Sequence, residues 1–202
     1  MATSPRKPAA SAPVDHASKI DRSRAPLTVS RPELLIGGSD REFRQLVHRL
    51  LSFLARHEKI RAGHARTIGL AGVEYTVLIS IAHLSVEGDV SIKRVADHLH
   101  FSGAFITSTV GRLIELGLVL KKTDAADRRR VTLTLSGKGN TRLEKLAPVQ
   151  RSINDVEFGG ISREEFRLLL EIADRLIDGA NKAVALQTYL MSHSDGKNNY
   201  HD

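Results

Sequence analysis

From Ser39 onward the chain alternates stretches of three- and four-residue apolar spacing with short breaks that carry capping residues. Phe43, Leu46, Val47, Leu50, Leu51 and Leu54 form one apolar stripe, the pattern of an amphipathic helix. Ser39 and Glu42 stand just ahead of it at capping-box spacing, which predicts the helix start there. Gly63, within RAGHARTIGLAG, predicts its end after about six turns. Arg41, Arg44, Arg49, Arg56 and Lys59 make the polar face.

A second helix is predicted over 72–86, where Val73, Val77, Leu78, Ile81, Ala82 and Leu84 give a broad apolar surface and Glu87-Gly88-Asp89 breaks the pattern. Ser91 suits the N-cap of a short helix over Ile92–Leu99, with Val95, Ala96 and Leu99 inward. The turn HFSG at 100–103 leads to a helix over about 103–116 with Ile106, Val110, Leu113 and Ile114 inward. Gly117 suits the position that ends it. The other face shows Gly103, Phe105, Thr107, Ser108, Gly111 and Arg112. It is small and polar apart from Phe105, and nearly free of acid. A helix shaped only for solubility would alternate Glu and Lys, so this face is predicted to meet a partner.

Residues 118–122 and 130–135 have strand character, the second with alternation at Val131, Leu133 and Leu135, and the loop TDAADRRR joins them as a hairpin. Ser136 caps a further helix that runs from Gly137 to about Glu157 on Leu143, Leu146, Val149 or Gln150, Ile153 and Val156. Pro148 predicts a kink or local opening inside it. Gly159-Gly160 stops it, and Ser162 with Glu165 forms a second capping box. A long last helix follows on Phe166, Leu169, Ala173, Leu176, Ile177, Ala180 and Val184. Its opposite face carries Arg167, Glu171, Asp174, Arg175 and Asp178, with Glu171–Arg175 a plausible i,i+4 pair. Residues 191–202 read as a flexible tail. Residues 1–38 hold five of the six prolines without any hydrophobic period, and read as a disordered or loosely packed basic arm. Leu34, Leu35 and Ile36 mark where packing begins.

Composition narrows the class. The 202 residues include no cysteine and no tryptophan, and aromatics make up 4%. The core is therefore aliphatic, and disulfides, Cys-ligated metals and thiol redox switches are excluded. A soluble, cytoplasmic protein without a membrane span or secretory signal is expected, since no apolar run reaches the roughly 18–20 residues a span needs. The net charge of +7 is unevenly spread. Lys and Arg exceed Asp and Glu by three over residues 1–38, by one over 39–89 and by five over 90–139, and fall short by two over 140–202. Basic charge gathered in one stretch implies a polyanionic partner, because neutralised phosphates release counterions. For the arm, with Arg6, Lys7, Lys19, Arg22, Arg24 and Arg31, a solubilising role is favoured over phosphate contact.

The stretch Ser91–Gly139 combines these signals. Two short helices joined by a compact turn are what a helix-turn-helix requires, the second approaching base edges. By themselves they are only moderately specific. The hairpin behind them adds Lys121, Lys122 and the run Arg128-Arg129-Arg130, placed to track a phosphate backbone, with an arginine able to enter a minor groove.

The order GRLIELGLVLKKTDAADRRRVTLTLSGKG resembles the MarR family of winged-helix transcription regulators. The matching features are a helix ending in Gly-Leu-Val, a loop with Asp-x-Arg (Asp127, Arg129), and a strand closing on Leu135, Ser136 and Gly139. The upstream GLAGVEYTVLISIA is similar to the family's second helix. The resemblance covers about residues 40–190 and implies a mainly α fold with a small β-hairpin wing. The winged-helix lobe would span 72–139, and 39–63 with 140–190 would form dimerisation helices. It implies that Arg129 enters the minor groove, braced by Asp127, that Arg128 and Arg130 contact phosphates, and that the helix after Ser102 lies in the major groove. This chain departs from the family in Gly103, Ala104 and Phe105, which offer few hydrogen-bonding groups. Base reading then falls on Ser102, Thr107, Ser108 and Arg112, with Phe105 against a thymine methyl. Ser91, Gly103, Lys121 and Lys122 complete the expected DNA-contacting set.

A homodimer is expected on separate grounds as well. The first and last helices carry longer apolar stripes than a compact winged domain covers, and two-fold pairing matches a pseudo-palindromic duplex. The resemblance also implies a small aromatic or anionic effector between the dimer helices and the DNA-binding lobe, with Arg61, His64, Tyr75 and His83 as polar candidates. The expected function is thus a sequence-specific repressor released by a small molecule. Nine histidines raise a metal-responsive regulator of the same fold as an alternative, and a helical protein-interaction adaptor is the alternative outside it. Neither a His-x3-His pair nor a His-Glu-x-x-His is present, so no metal ligand or cofactor is assigned. The lack of a Gly-rich phosphate loop, nucleophile elbow or paired catalytic carboxylates argues against an enzyme.

Overall fold

The computed structural model describes residues 26–123 and 131–194. The chain divides into two compact units, residues 1–55 and 56–202, and α1 (Arg41–Thr67) runs through the division. After it come α2 (Gly72–Glu87), α3 (Ile92–Leu99), α4 (Gly103–Glu115), β1 (Val119–Thr123), β2 (Val131–Leu135), α5 (Gly137–Glu157) and α6 (Arg163–Ser194). β1 and β2 pair antiparallel, with Val119 opposite Leu135 and Thr123 opposite Val131. Val90 adds a single bridge on the far side of β2, its carbonyl accepting the Leu133 N–H at 2.8 Å.

The core belongs to the second unit and is aliphatic, as the composition requires. Val77, Leu78 and Ile81 of α2 meet Val95 of α3, Ile106, Val110 and Leu113 of α4, and Leu118, Leu133 and Leu146, all 2% exposed or less. Three of its helices end on the same device. In α1, α3 and α4 the residue past the end turns left-handed (Gly69, φ 66°; His100, φ 53°; Gly117, φ 71°). The next N–H then reaches back five residues, Leu70 to Ala65 at 2.9 Å, Phe101 to Ala96 at 3.1 Å and Leu118 to Leu113 at 2.9 Å. This Schellman arrangement satisfies carbonyls that the helix end would strand. Three serines cap the starts: Ser91 accepts the Arg94 N–H, Ser102 the Phe105 N–H and Ser136 the Gly139 N–H.

Several boundaries differ from the sequence reading. The first helix does not end at Gly63 but continues to Thr67, because His64 and Ala65 are buried on the core and Gly69 supplies the left-handed turn. Arg142 of α5 closes that end, donating to the Ile68 carbonyl at 3.1 Å, a cation at the negative end of the helix dipole. The Ser39–Glu42 capping box does not form. Asp40 takes the cap position, and its buried carboxylate accepts from the Thr28 N–H (2.8 Å), the Thr28 hydroxyl (2.7 Å) and Arg44 Nε (2.9 Å). Those bonds, the threonine's first, hold its pKa below the ordinary carboxylate value. Within the first unit this ties residues 26–40 to the start of α1 by polar contacts, while Ile36 stays exposed.

The Ser162–Glu165 box does form, at 2.7 and 3.2 Å, and α6 extends through Ser194 instead of fraying after Leu190. Arg175 bonds the Glu171 backbone carbonyl, not its carboxylate, and the i,i+4 ion pair is Asp178–Lys182 at 2.6 Å. Thr109, not Ile114, joins the buried face of α4. α5 runs unbroken through Pro148, which sits on an exposed face where the carbonyl it deprives of a donor meets water.

Gly139 makes the tightest junction. A Cβ there would fall onto the Leu118 carbonyl oxygen, which already accepts the Ser136 N–H at 2.9 Å. The substitution Gly139→Ala is therefore expected to destabilise the fold by about 1–3 kcal/mol through overpacking against backbone, read as a lower urea midpoint. Gly137→Ala, where a Cβ meets nothing within 4 Å, leaves the midpoint nearly unchanged.

Candidate nucleic-acid interface

α3, the turn at 100–102 and α4 form the helix-turn-helix that the sequence predicts. α4 is held by Ile106, Thr109, Val110 and Leu113, which turns Gly103, Ala104, Phe105, Thr107, Ser108 and Arg112 outward. No Asp or Glu occurs between His98 and Ile114, so this face is electrostatically open to a polyanion. Lys121 and Lys122 are exposed on β1, beside it in sequence and in the wing. The predicted wing-tip residues Asp127, Arg128, Arg129 and Arg130 lie outside the described residues.

The hydrogen-bonding groups of this face are partly committed within the chain. The oxygen of Ser91 caps α3 and that of Ser102 caps α4. Thr107 donates to the Gly103 carbonyl at 2.7 Å. Arg112 sits between Glu115 (3.1 Å) and Glu74 of α2 (3.7 Å). Glu74 also accepts the Ala71 N–H at 2.8 Å, so one carboxylate both closes the start of α2 and touches the outward face of α4. Sequence reasoning missed Glu74. It also missed Phe101, whose ring packs edge-on against Phe105 at 5.1 Å between centroids. The Phe-x3-Phe spacing was the available signal.

Three of the four polar residues assigned to an effector gather, and one does not. Arg61 of α1 bonds the Thr76 hydroxyl of α2 and lies 3.6 Å from Glu58. His64 is buried, its ring 6.1 Å from that of Tyr75 in a T-shaped contact. Gln150 of α5 donates to the Tyr75 hydroxyl at 3.3 Å. Burial pushes the Tyr75 pKa up, with the Arg61 charge opposing. Two buried nitrogens here have no partner, Arg61 Nε and His64 Nε2. An unpaired buried donor or acceptor, as in this polar knot, costs about 1–3 kcal/mol. His83 stands apart on the exposed far end of α2, against His98 (5.8 Å between centroids) and Glu87 (3.8 Å). Among the described residues no three His, Asp or Glu side chains gather as a metal site.

If the knot is held at a cost, removing its orphaned nitrogen should relieve that cost. His64→Leu is expected to raise the thermal midpoint, by the equivalent of about 1 kcal/mol or more; a lowered midpoint in calorimetry would show that the imidazole supports the fold.

Residues 68–130 match the MarR family model. The HTH-type transcriptional repressor MdtR of Bacillus subtilis is 22% identical over 130 residues, covering 64% of this chain and 84% of that one. The fold is that of BpsR of Bordetella bronchiseptica, described as regulated in DNA binding by 6-hydroxynicotinic acid. That protein has a TM-score of 0.52 and 24% identity, covering 65% of this chain and 91% of its own. A mutant MarR from E. coli, solved with operator DNA, has a TM-score of 0.55 at 15% identity, covering 67% and 95%.

Proposed function

We propose that the chain is a DNA-binding transcription regulator of the MarR family, whose model its winged-helix core matches, and that it acts as a homodimeric repressor of a pseudo-palindromic operator, released by a small aromatic or anionic effector. The observation that carries the reading is the outward face of α4, which has no acidic residue from Gly103 to Ile114 and is presented by a capped helix-turn-helix. The operator complex of the E. coli relative supports the same use of the fold. α4 enters the major groove, Lys121 and Lys122 contact phosphates, and Arg129, braced by Asp127, reaches the minor groove. Arg128 and Arg130 flank it on phosphates.

The pairing of two chains is supported by what each long helix leaves uncovered. Leu46, Leu50, Leu51 and Leu54 of α1 are 40–58% exposed, and Leu176, Ile177, Val184 and Leu190 of α6 are 52–62% exposed. Apolar stripes of that length are not left to water in a stable chain. Effector release is supported by Arg61, His64 and Tyr75, a cation and unpaired polar atoms beside aliphatic neighbours, which suits an aromatic carboxylate. An effector that favours a half-site spacing unable to span two major grooves lowers DNA affinity by the factor by which DNA lowers its own. A protein working on duplex DNA without any cysteine fits a cytoplasmic setting.

Fluorescence anisotropy with the duplex upstream of the protein's own gene tests the reading. Binding should be tighter than to an unrelated duplex and weaken steeply with salt. Arg129→Ala should reduce affinity across sequences by roughly ten- to a hundredfold, the worth of about 1–3 kcal/mol for one strong groove contact, with the dimer intact. Equal affinity for any duplex, or no loss with Arg129→Ala, would overturn it. Sedimentation should give a dimer for the native chain and a shift toward monomer for Leu176→Glu, which places a charge in the apolar stripe of α6.

A further inference from the structure

The outward face of α4 is poor in free hydrogen-bonding groups, yet it carries two large exposed aromatic rings. Phe101 and Phe105 are each 43% exposed, and their rings pack edge to face at 5.1 Å between centroids and 66° between planes. Phe101 lies in the turn and Phe105 in the first turn of α4, so the pair straddles the helix N-terminus. The polar atoms nearby are engaged: Ser102 caps Phe105, Thr107 bonds Gly103, Thr109 donates to the Phe105 carbonyl at 3.0 Å, and Arg112 is held by two carboxylates.

Two glycines add a second, independent observation. Neither Gly103 nor Gly111 has a positive φ, and a Cβ at either would meet nothing within 4 Å. The fold does not require them, though glycine inside a helix, as at Gly111, is less favourable than alanine. Their lack of side chains lets the backbone beside the ring pair approach an outside surface closely. With no acid between His98 and Ile114, that surface can be polyanionic.

We propose that the Phe101–Phe105 pair is the specificity-determining element of the interface, an apolar clamp that reads thymine C5-methyl groups in the major groove. The inference rests on α4 being the DNA-facing helix. The thymine methyl is the apolar group that the base edges present in that groove, and an edge-to-face ring pair offers it a preformed apolar contact. Phe101 orients Phe105 and widens the patch, which a lone phenylalanine on a helix start would not do. Specificity then comes from methyl burial, and the basic wing supplies affinity without sequence information.

The test uses the full-length chain and duplexes selected by it from a random-sequence library. The enriched duplex is resynthesised with deoxyuridine in place of each thymine in turn, which removes the methyl and leaves pairing and every hydrogen-bonding group unchanged. At the read positions affinity should fall roughly fourfold per methyl, and by about fifteenfold when both half-sites are substituted. The double variant Phe101→Ala, Phe105→Ala should bind the thymine duplex more weakly and lose the uracil penalty, at an unchanged thermal midpoint, while Phe105→Leu keeps part of it. An enriched duplex that binds equally well with uracil throughout would overturn the clamp while leaving DNA recognition standing. So would an unchanged penalty in the double variant. Failure to enrich any sequence would overturn the reading of α4 itself, and with it the clamp.

Discussion

The approach of the Gly139 backbone to Leu118 is the constraint on which the second unit depends. Leu118 follows the left-handed Gly117 that ends α4, and its N–H closes the helix on Leu113. Its own carbonyl accepts from Ser136, whose hydroxyl donates to the Gly117 carbonyl at 2.6 Å and whose oxygen caps α5 at Gly139. Lys138 adds a bond to the Leu116 carbonyl at 2.8 Å. The end of α4, the base of the wing and the start of α5 thus meet around one buried leucine. No side chain fits between the two backbones, so glycine at 139 sets how closely α5 seats. Because the junction satisfies the end of α4 internally, the helix is held firmly while its outward face stays exposed.

The helix α2 stands between the two regions that carry chemistry. Its first turn holds Glu74, which reaches Arg112 on α4, and Tyr75 and Thr76, which meet Arg61, His64 and Gln150. Glu74, which reaches α4, and Tyr75 and Thr76, which belong to the polar cluster, are therefore consecutive residues of one helix. The cluster leaves two buried nitrogens, Arg61 Nε and His64 Nε2, without a hydrogen-bond partner in the chain.

Much of the architecture is legible because it is decided locally. Ser91, Ser102, Ser136 and the Ser162–Glu165 box each satisfy backbone groups a few residues away, and all four cap where the spacing predicts. The Schellman end at Gly117 is equally local. The errors fall where a distant partner outweighs the local signal. Gly63 reads as a stop, yet burial of the next two residues carries α1 past it. Ser39 and Glu42 have the right spacing, yet Asp40 takes the cap because Thr28, twelve residues earlier, stabilises its carboxylate. Thr109 is buried where Ile114 is not, its hydroxyl satisfied by the Phe105 carbonyl one turn back.

For the functional residues the division is similar. The nearly acid-free face of α4, the lysines of β1 and the basic run that follows were determined by the sequence alone, since charge and helical phase need no partner to be read. Which of the polar candidates share a site was decided by the tertiary structure. Arg61, His64 and Tyr75 converge across two helices while His83 is carried two turns away, because the packing of α1 on α2 selects one face of each. The pairing of Phe101 with Phe105 was also decided there: a left-handed turn at His100 brings a ring from outside the helix onto one within it. Sequence determines what each segment can satisfy within itself, and only the fold determines which leftover groups face one another.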